Sequence, residues 1–243
     1  MSKQERSTQF SKALMEVRSM VLDGSFPVGE RLSETAVAEQ LDVSRTPLRQ
    51  ALDRLIDEGL LERIETGGCR VASFSFDDIV DAIELRGVME GTAARVAAER
   101  GVSVEKETEC RQLLIKLDDA VFGADELDFS SYVSLNERFH ELLTEMSGSK
   151  IIKREVERIA RLPLASPSAF LDGQTSIPNF HASLKIAQAQ HRAIFDAICR
   201  REGARAEALA REHARLARHN FDYVLNINPR LAERVPGMAL VAS

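Results

Sequence analysis

Residues 44–58 read SRTPLRQALDRLIDE, a stretch with the features of a capped amphipathic helix. Ser44 is a favoured N-cap residue, and Pro47 falls in the first helical turn, where a proline is tolerated. Apolar residues then recur at spacings of three and four, which predicts one buried helix face. These residues are Leu48, Ala51, Leu52, Leu55 and Ile56. Gly59 ends the predicted helix.

Shorter helical patterns precede this helix, and a strand pattern follows it. Apolar residues repeat at helical spacing over 9–23 and 34–41, with a break before Ser44. Beyond the helix the residues alternate, and two adjacent glycines supply a turn between two short strands. Residues 9–73 are therefore predicted to form three short helices and a hairpin, arranged as a helix-turn-helix followed by a wing.

The second helix of this helix-turn-helix begins with side chains suited to DNA. Its N-terminus presents free N–H groups and the positive end of the helix dipole to a phosphate. Ser44 and Thr46 can donate to phosphate oxygens, while Arg45 and Arg49 share a helix face and can reach base edges. The alternative is an ordinary helical hairpin with a charged surface.

This part of the chain has the sequence pattern of a known family. The run VSRTPLRQAL at 43–52, followed by EGLL at 58–61, closely resembles the winged helix-turn-helix of GntR-type transcription factors. The resemblance extends over residues 9–73 and implies a double-stranded DNA operator as partner.

The resemblance also implies roles for individual residues. Arg45 and Arg49 would contact DNA from the recognition helix, and Ser44 and Thr46 would hold backbone phosphates. Gly68 would let the wing approach the minor groove.

Two positions depart from the pattern of the family. Some relatives have an arginine where this chain has Thr35, and many have a basic or polar residue where it has Gly67. We expect Arg70 to supply the missing charge of the wing, and the DNA half-site to differ from the usual one.

From Asp77 onward the sequence predicts helices only. Their expected ranges are 77–100, 104–122, 126–146, 149–161, 180–201 and 203–225. The scarcity of Gly, Pro and aromatic residues (5%) also favours helix. The predicted fold class is mainly α, with a winged helix-turn-helix before an antiparallel all-helical bundle.

Three histidines in the helical region lie where bundle helices can surround one cation. Asn136 and His140 are four residues apart and share a helix face, while His191 and His213 belong to the last two predicted helices. Imidazole nitrogens and an oxygen donor suit a divalent metal. Any single histidine, taken alone, is more often a surface or core residue.

The helical region resembles the FCD effector domain of the FadR-type branch of the same family. Further matching residues are Arg86, Glu90 and the alanine pairs at 93–94 and 97–98. The resemblance implies that residues 74–225 bind an effector and form the dimer. Residues 1–8 are expected to be a flexible N-terminus, and 226–243 a loosely held tail.

The resemblance to FCD domains also implies a ligand set. His140, His191, His213 and Asn136 would hold zinc or nickel, although members usually have Asp at the last position. A small carboxylate effector would then bind beside the metal, clamped by Arg86. Asn220 lies seven residues after His213, on the same helix face, and could line the pocket.

Two other readings of the histidines and of the N-terminal domain stay open. A metal-dependent hydrolase also uses three histidines, but the sequence has no H-E-x-x-H arrangement and no nucleophile motif. The second alternative is a DNA-binding protein that binds no small-molecule ligand. The hypothesis that the sequence favours is a cytoplasmic, homodimeric repressor released by a carboxylic acid. The segment LPLASPSAF at 162–170 resembles vanillate-operon-type repressors and favours an aromatic acid.

The charge of the chain bears on the DNA hypothesis. The net charge is −6 and the pI about 5.5, although nucleic-acid-binding domains are usually basic. Residues 1–73 hold ten Lys and Arg and twelve Asp and Glu, so positive charge is concentrated at a few arginines. We therefore expect weak non-specific binding and a tight complex only for the dimer.

The cysteine content and the lack of long apolar segments indicate the cell compartment. Cys69, Cys110 and Cys199 form no metal or disulfide motif, which fits a reducing cytoplasm. There is no signal-peptide pattern and no stretch of ~18 apolar residues, so no membrane association is expected.

Overall fold

The computed structural model describes residues 3–123, 128–162, 164–168, 180–226, 235 and 237–241. They divide into two units, described separately below. The first is drawn from Met1–Ile79, Arg161–Leu164 and Val235–Ser243, and the second from Val80–Ala160 and Ala165–Arg234.

The first unit contains the predicted helix-turn-helix and wing, which confirms the predicted fold class for this part. Its elements are α1 (Lys3–Leu22), β1 (Arg31–Leu32), α2 (Glu34–Leu41), α3 (Arg45–Asp57), β2 (Leu61–Arg63) and β3 (Cys69–Val71). The apolar face read from the sequence is buried, with Leu48, Ala51 and Leu55 fully enclosed. This face of α3 packs against α1, where Ala13, Val17 and Val21 are also fully buried.

Local chemistry fixes the turn between α2 and α3. Asp42 ends α2 in the left-handed conformation (φ 51°), which asparagine and aspartate tolerate better than most residues. The Ser33 hydroxyl accepts the N–H of Ala36 and caps the start of α2. Ser44 has the backbone of an N-cap, but its hydroxyl donates to Gln9 Oε1 at 3.1 Å instead of accepting from α3.

The wing contains a strand that the sequence pattern did not reveal. The sheet order is β1-β3-β2, and both pairs are antiparallel. Strand β1 has two residues, too few for an alternating pattern to be read. Its place is fixed by pairing, since the N–H of Val71 donates to the carbonyl of Glu30 at 3.0 Å.

Both chain ends of the first unit differ from the expectations. Helix α1 begins at Lys3 rather than at residue 9, because residues 3–8 contain no Gly or Pro to stop it. Near the other end, where a loosely held tail was predicted over 226–243, Leu240 is fully buried in the core of this unit. Residues 227–234, 236, 242 and 243 of that segment lie outside the described residues.

Backbone hydrogen bonds hold this C-terminal segment against the winged helix. The N–H of Phe74 donates to the carbonyl of Leu240, and the N–H of Gly237 to the carbonyl of Leu22, both at 3.0 Å. A short 3-10 helix, Met238–Leu240, buries the side chains of its first and last residues. A short apolar run at the end of a polar sequence gives no periodicity, so its burial depends on a tertiary partner.

The second unit is helical throughout the residues that the structure describes. Its elements are α4 (Phe76–Arg100), α5 (Val104–Phe122), α6 (Phe129–Met146), α7 (Lys150–Ile159), α8 (Phe180–Cys199) and α9 (Gly203–Asn226), with the first turn of α4 in the first unit. These bounds agree with the predicted helices to within a few residues. Helix α5 packs against α6 and α8, and α8 against α9.

Two glycines bring α4 close to α9. A Cβ at Gly87 would lie 2.8 Å from the Cβ of Ala214, and one at Gly91 would lie 3.0 Å from the carbonyl oxygen of Glu207. No larger residue fits at this crossing. The close approach brings the charged residues of α4 beside the histidine of α9.

Within the described ranges, every helix is too short or too polar to cross a lipid bilayer.

Candidate nucleic-acid interface and metal centre

The start of α3 presents the predicted DNA-contacting side chains to solvent. Ser44, Arg45, Thr46 and Arg49 are all exposed. Arg49 is held by Glu34 of α2, with its Nη2 2.8 Å from Oε2. This hydrogen bond lowers the pKa of Glu34, so the pair is ionised at neutral pH.

The tip of the wing consists of glycine backbone and one arginine from another strand. Gly67 and Gly68 have φ values of +94° and +86°, a region that favours glycine. Arg70, expected to carry the charge of the wing, is paired with Glu62 at 2.8 Å. The guanidinium nearest the tip belongs to Arg31, whose Nη2 donates to the Gly67 carbonyl at 2.9 Å. Arg31 lies outside the motifs that predicted DNA contacts from the sequence.

The three predicted histidines meet inside the helical unit. His140 comes from α6, His191 from α8 and His213 from α9, and all three are buried. Their candidate ligand nitrogens lie within 4.8 Å of one another. The Nε2 atoms of His191 and His213 are 2.9 Å apart. Three histidines separated by 22 to 51 residues in sequence thus form one cluster.

The hydrogen bond that each imidazole makes through Nδ1 determines which of its two nitrogens carries the proton. Each Nδ1 faces an oxygen at 3.0–3.1 Å, supplied by Glu90 to His140, Gln188 to His191 and Gln190 to His213. The amide nitrogen of Gln188 is already used, since it donates to the Leu114 carbonyl and to Asp118. Its oxygen must therefore accept from His191.

The consequence is a set of converging lone pairs. If each Nδ1 donates its proton outward, each Nε2 is an acceptor, and two of them face each other at 2.9 Å with no proton to share. Such a contact is unfavourable unless a cation lies among the nitrogens. The residues present therefore fit a metal ion on the chemistry of their donor set.

Electrostatics keep the site ready for a cation. Burial lowers the pKa of His213 to about 3, and it lowers the pKa of His191 well below its ordinary value, with the neighbouring histidines adding to both effects. Neutral imidazole is the form that binds metals. Burial opposes ionisation of Glu90, but His140 and Arg86 outweigh it and hold its pKa at about 2.

The fourth predicted ligand lies at the same place. Asn136 is buried on α6, one turn before His140. Its amide nitrogen lies 3.3 Å from the Ser168 hydroxyl and 3.4 Å from the Pro167 carbonyl. Since those contacts use the NH₂ group, the amide oxygen is left as the possible ligand.

A small cavity of about 40 Å³ adjoins the histidines. Its polar lining includes Arg86, Asn136, His140, His213, Ser183 and Asn220, so both predicted effector residues line it. Arg86 is 2% exposed, and its Nε and Nη1 have no hydrogen-bond partner among the described residues. Its closest approach to the carboxylate of Glu90 is 3.7 Å.

Several residues of this centre were not assigned a role from sequence. Glu90 was noted only as part of a family pattern, and Gln188 and Gln190 were not noted. The available signal was the spacing of Gln188 and His191, three residues apart and so on neighbouring positions of one helix face. His181 and His219, the other two histidines of the chain, are not part of the cluster.

A winged helix-turn-helix and a helical domain with a polar, histidine-lined cavity define a DNA-binding transcription regulator with an effector domain. Residues 11–71 match the pattern described as bacterial regulatory proteins, gntR family, and residues 81–216 match the FCD domain. The chain belongs to the gntR family of regulators, in the branch that carries an FCD domain.

Individual relatives agree with this assignment. The Nta operon transcriptional regulator of Aminobacter aminovorans is 30% identical over 86% of this chain and 90% of that protein. The HTH-type transcriptional repressor RspR of Escherichia coli (strain K12) is 26% identical over 76% of each chain. The structure of E. coli McbR/YncC shares the fold, with a TM-score of 0.60 and 19% identity over 89% of this chain and 97% of that one.

Proposed function

We propose that this regulator is a homodimeric repressor that leaves its operator when a small carboxylic acid binds beside a metal ion in the FCD domain. The observation that carries the proposal is the convergence of three imidazole nitrogens beside Arg86, whose Nε and Nη1 have no partner in the described part of the chain. The imidazole nitrogens are suited to bind a cation, and the buried guanidinium of Arg86 is suited to bind an anion.

The metal would be held by His140, His191, His213 and the oxygen of Asn136. Imidazole suits zinc and nickel alike, and a neutral amide oxygen should hold either ion less strongly than the usual carboxylate. When bound, the ion would supply a positive charge and an open coordination position. Membership of a transcription-regulator family supports sensing, rather than hydrolysis, as the use of this set.

The effector would be bound by the chain's own polar residues. Arg86 can offer two parallel N–H donors to one carboxylate, which is the geometry guanidinium groups use for this ligand. Asn220 and Ser183 line the same cavity and can accept or donate to further oxygens of the effector. The resemblance of 162–170 to vanillate-type repressors supports an aromatic acid, although residues 163, 169 and 170 lie outside the described residues.

On DNA, Arg45 and Arg49 would reach into the major groove while Ser44 and Thr46 hold phosphates. Arg49 would exchange Glu34 for DNA, and Arg70 would exchange Glu62. Gly68 would allow close approach of the wing. Two chains would place two recognition helices in successive major grooves of a pseudo-palindromic operator, and this would take place in the cytoplasm, where bacterial DNA lies.

The effector can release the operator only if it binds one dimer arrangement better than the other. We expect a gel shift with the DNA upstream of the chain's own gene to show specific retardation. Carboxylic acids, aromatic ones most strongly, should reverse it. A chain that retards specific and unrelated DNA equally would contradict the proposal for DNA.

The metal half is tested by metal analysis and zinc calorimetry on the full chain. His191→Ala should lose the ion, and acid-induced release of the operator with it. His219→Ala, at an exposed position of α9, is the matched control and should retain both. Equal metal content in the two variants would refute the site.

A further inference from the structure

We propose that Arg31, at the start of β1, is a DNA-contacting residue that supplies the positive charge of the wing. The inference rests on the proposed DNA interface and extends it to a residue outside the helix-turn-helix and the hairpin. Arg31 is exposed, and its Nη2 donates to the carbonyl of Gly67 at 2.9 Å.

The guanidinium lies directly over the glycine tip. A Cβ added at Gly68 would be 3.7 Å from both Nε and Nη2 of Arg31, whereas one added at Gly67 would meet nothing within 4 Å. The tip itself therefore has no side chain, and the charge beside it comes from the neighbouring strand. One hydrogen bond to Gly67 uses one of the five N–H donors of an arginine and leaves the others for a ligand.

Arg31 is one of two arginines between residues 31 and 71 that have no acidic partner among the described residues. Of the six arginines between residues 31 and 71, four are ion-paired. The pairs are Arg49–Glu34, Arg54–Glu58, Arg63–Asp53 and Arg70–Glu62. Within the described residues, Arg31 and Arg45 form no such pair, so binding a phosphate or a base edge breaks no ion pair at either.

The sheet register explains why Arg31, rather than Arg70, has the free charge. Arg31 lies opposite Arg70, and Arg70 lies opposite Glu62 on the outer strand. Glu62 therefore neutralises the middle residue of this row and leaves Arg31, on the opposite edge strand, without an ion pair among the described residues. A tip made of two glycines allows the backbone to come close to DNA, and the guanidinium beside it would enter the minor groove.

The test measures binding of operator DNA by fluorescence anisotropy at several salt concentrations. Arg31→Gln removes the charge and keeps a polar donor, Arg31→Lys keeps the charge, and Arg63→Gln removes an exposed, ion-paired arginine as the matched control. We expect Arg31→Gln to weaken binding about tenfold and to reduce the salt slope by about one per wing. Arg31→Lys should retain most of that slope, and Arg63→Gln should bind like the wild type.

A second variant distinguishes the loss of positive charge from a loss of the wing's structure. Thr66 is exposed beside the tip and is not among the residues with positive φ, so Thr66→Arg can place a guanidinium there without backbone strain. Combined with Arg31→Gln, it should restore at least part of the lost affinity. A wing that had merely lost its support would not be repaired in this way.

The outcomes distinguish this inference from the proposal beneath it. If Arg45→Ala weakens binding while Arg31→Gln keeps the wild-type affinity and salt slope, the role of Arg31 is refuted and the helix-turn-helix interface stands. If both variants bind like the wild type, the proposed interface itself is refuted. Loss of affinity in Arg31→Gln with rescue by Thr66→Arg supports the inference.

Discussion

In the winged helix domain the residues proposed to meet DNA are exposed, and four of the six arginines between 31 and 71 are paired with acidic side chains. In the FCD domain the corresponding groups are enclosed. Arg86 is 2% exposed and His191 is 0% exposed, and polar atoms of Arg86 and Glu90 lack partners within the described ranges. The first domain thus carries exposed arginines that are mostly ion-paired, and the second encloses polar atoms that lack hydrogen-bond partners among the described residues.

This difference follows from the size of the ligand. DNA is too large to be enclosed, so its contacts must lie on a surface, where an ion pair costs little to break. A small acid or a metal ion can be surrounded, and a buried polar group without a partner is costly until the ligand supplies one. The acidic net charge of the chain is compatible with DNA binding because the paired arginines can exchange one anion for another.

The largest effect is expected on stability, at the C-terminal segment that is buried in the core of the first domain. Leu240 is fully buried in the core of that domain, so Leu240→Ala should lower the free energy of unfolding by about 2–5 kcal/mol. Chemical denaturation of the full chain measures this. The exposed Met15 (69%) gives the control Met15→Ala, which should cost far less. A similar, small change in both variants would mean that the segment is not part of the core.

A second prediction concerns the enclosed polar network of the FCD domain. Gln188 is 0% exposed and anchored by two further hydrogen bonds, so Gln188→Leu should leave His191 without an orienting acceptor. We expect metal affinity to fall ~10–100-fold, as for other residues that orient metal ligands. Gln190→Leu, at a less enclosed position, should cost less. Zinc calorimetry distinguishes the two, and the reverse order would contradict the network.

The exposed contacts of the recognition helix should give a smaller effect. Arg45→Ala removes a guanidinium that has no acidic partner in the described part of the chain, and we expect binding of the operator to weaken by about 1–3 kcal/mol if it reads a base. Operator variants at single positions should show relaxed specificity at one base pair. Uniform weakening on all sequences would instead identify Arg45 as a phosphate contact.

The smallest effect tests whether paired charges limit DNA binding. Glu34→Gln removes the partner of Arg49, and the exposed pair is worth at most about 1 kcal/mol. We expect operator affinity to rise a few-fold at low salt and the gain to shrink at high salt. Anisotropy titrations at two salt concentrations measure both. An unchanged affinity would mean that Arg49 does not release Glu34 on DNA.

The predictability of the two sites from sequence reflects the same contrast. The residues proposed to contact DNA lie within one run of the chain, so a single helical pattern identified Ser44, Arg45, Thr46 and Arg49 as neighbours. The residues proposed to bind metal and effector are spread from Arg86 to Asn220, and family resemblance was needed to group them. Their partners Glu90, Gln188 and Gln190 gave too weak a signal to be assigned a role.

The sequence by itself determined the helices, the wing and the family, because periodicity, caps and turn residues are local properties of the chain. Only the tertiary structure decided which groups are left without partners. It showed that Leu240 is buried in the first core and that three imidazole nitrogens converge. It also showed that Arg70 is paired with Glu62, whereas Arg31 has no acidic partner among the described residues. Each depends on contacts between residues far apart in the chain, whose geometry is set by packing and not by local pattern.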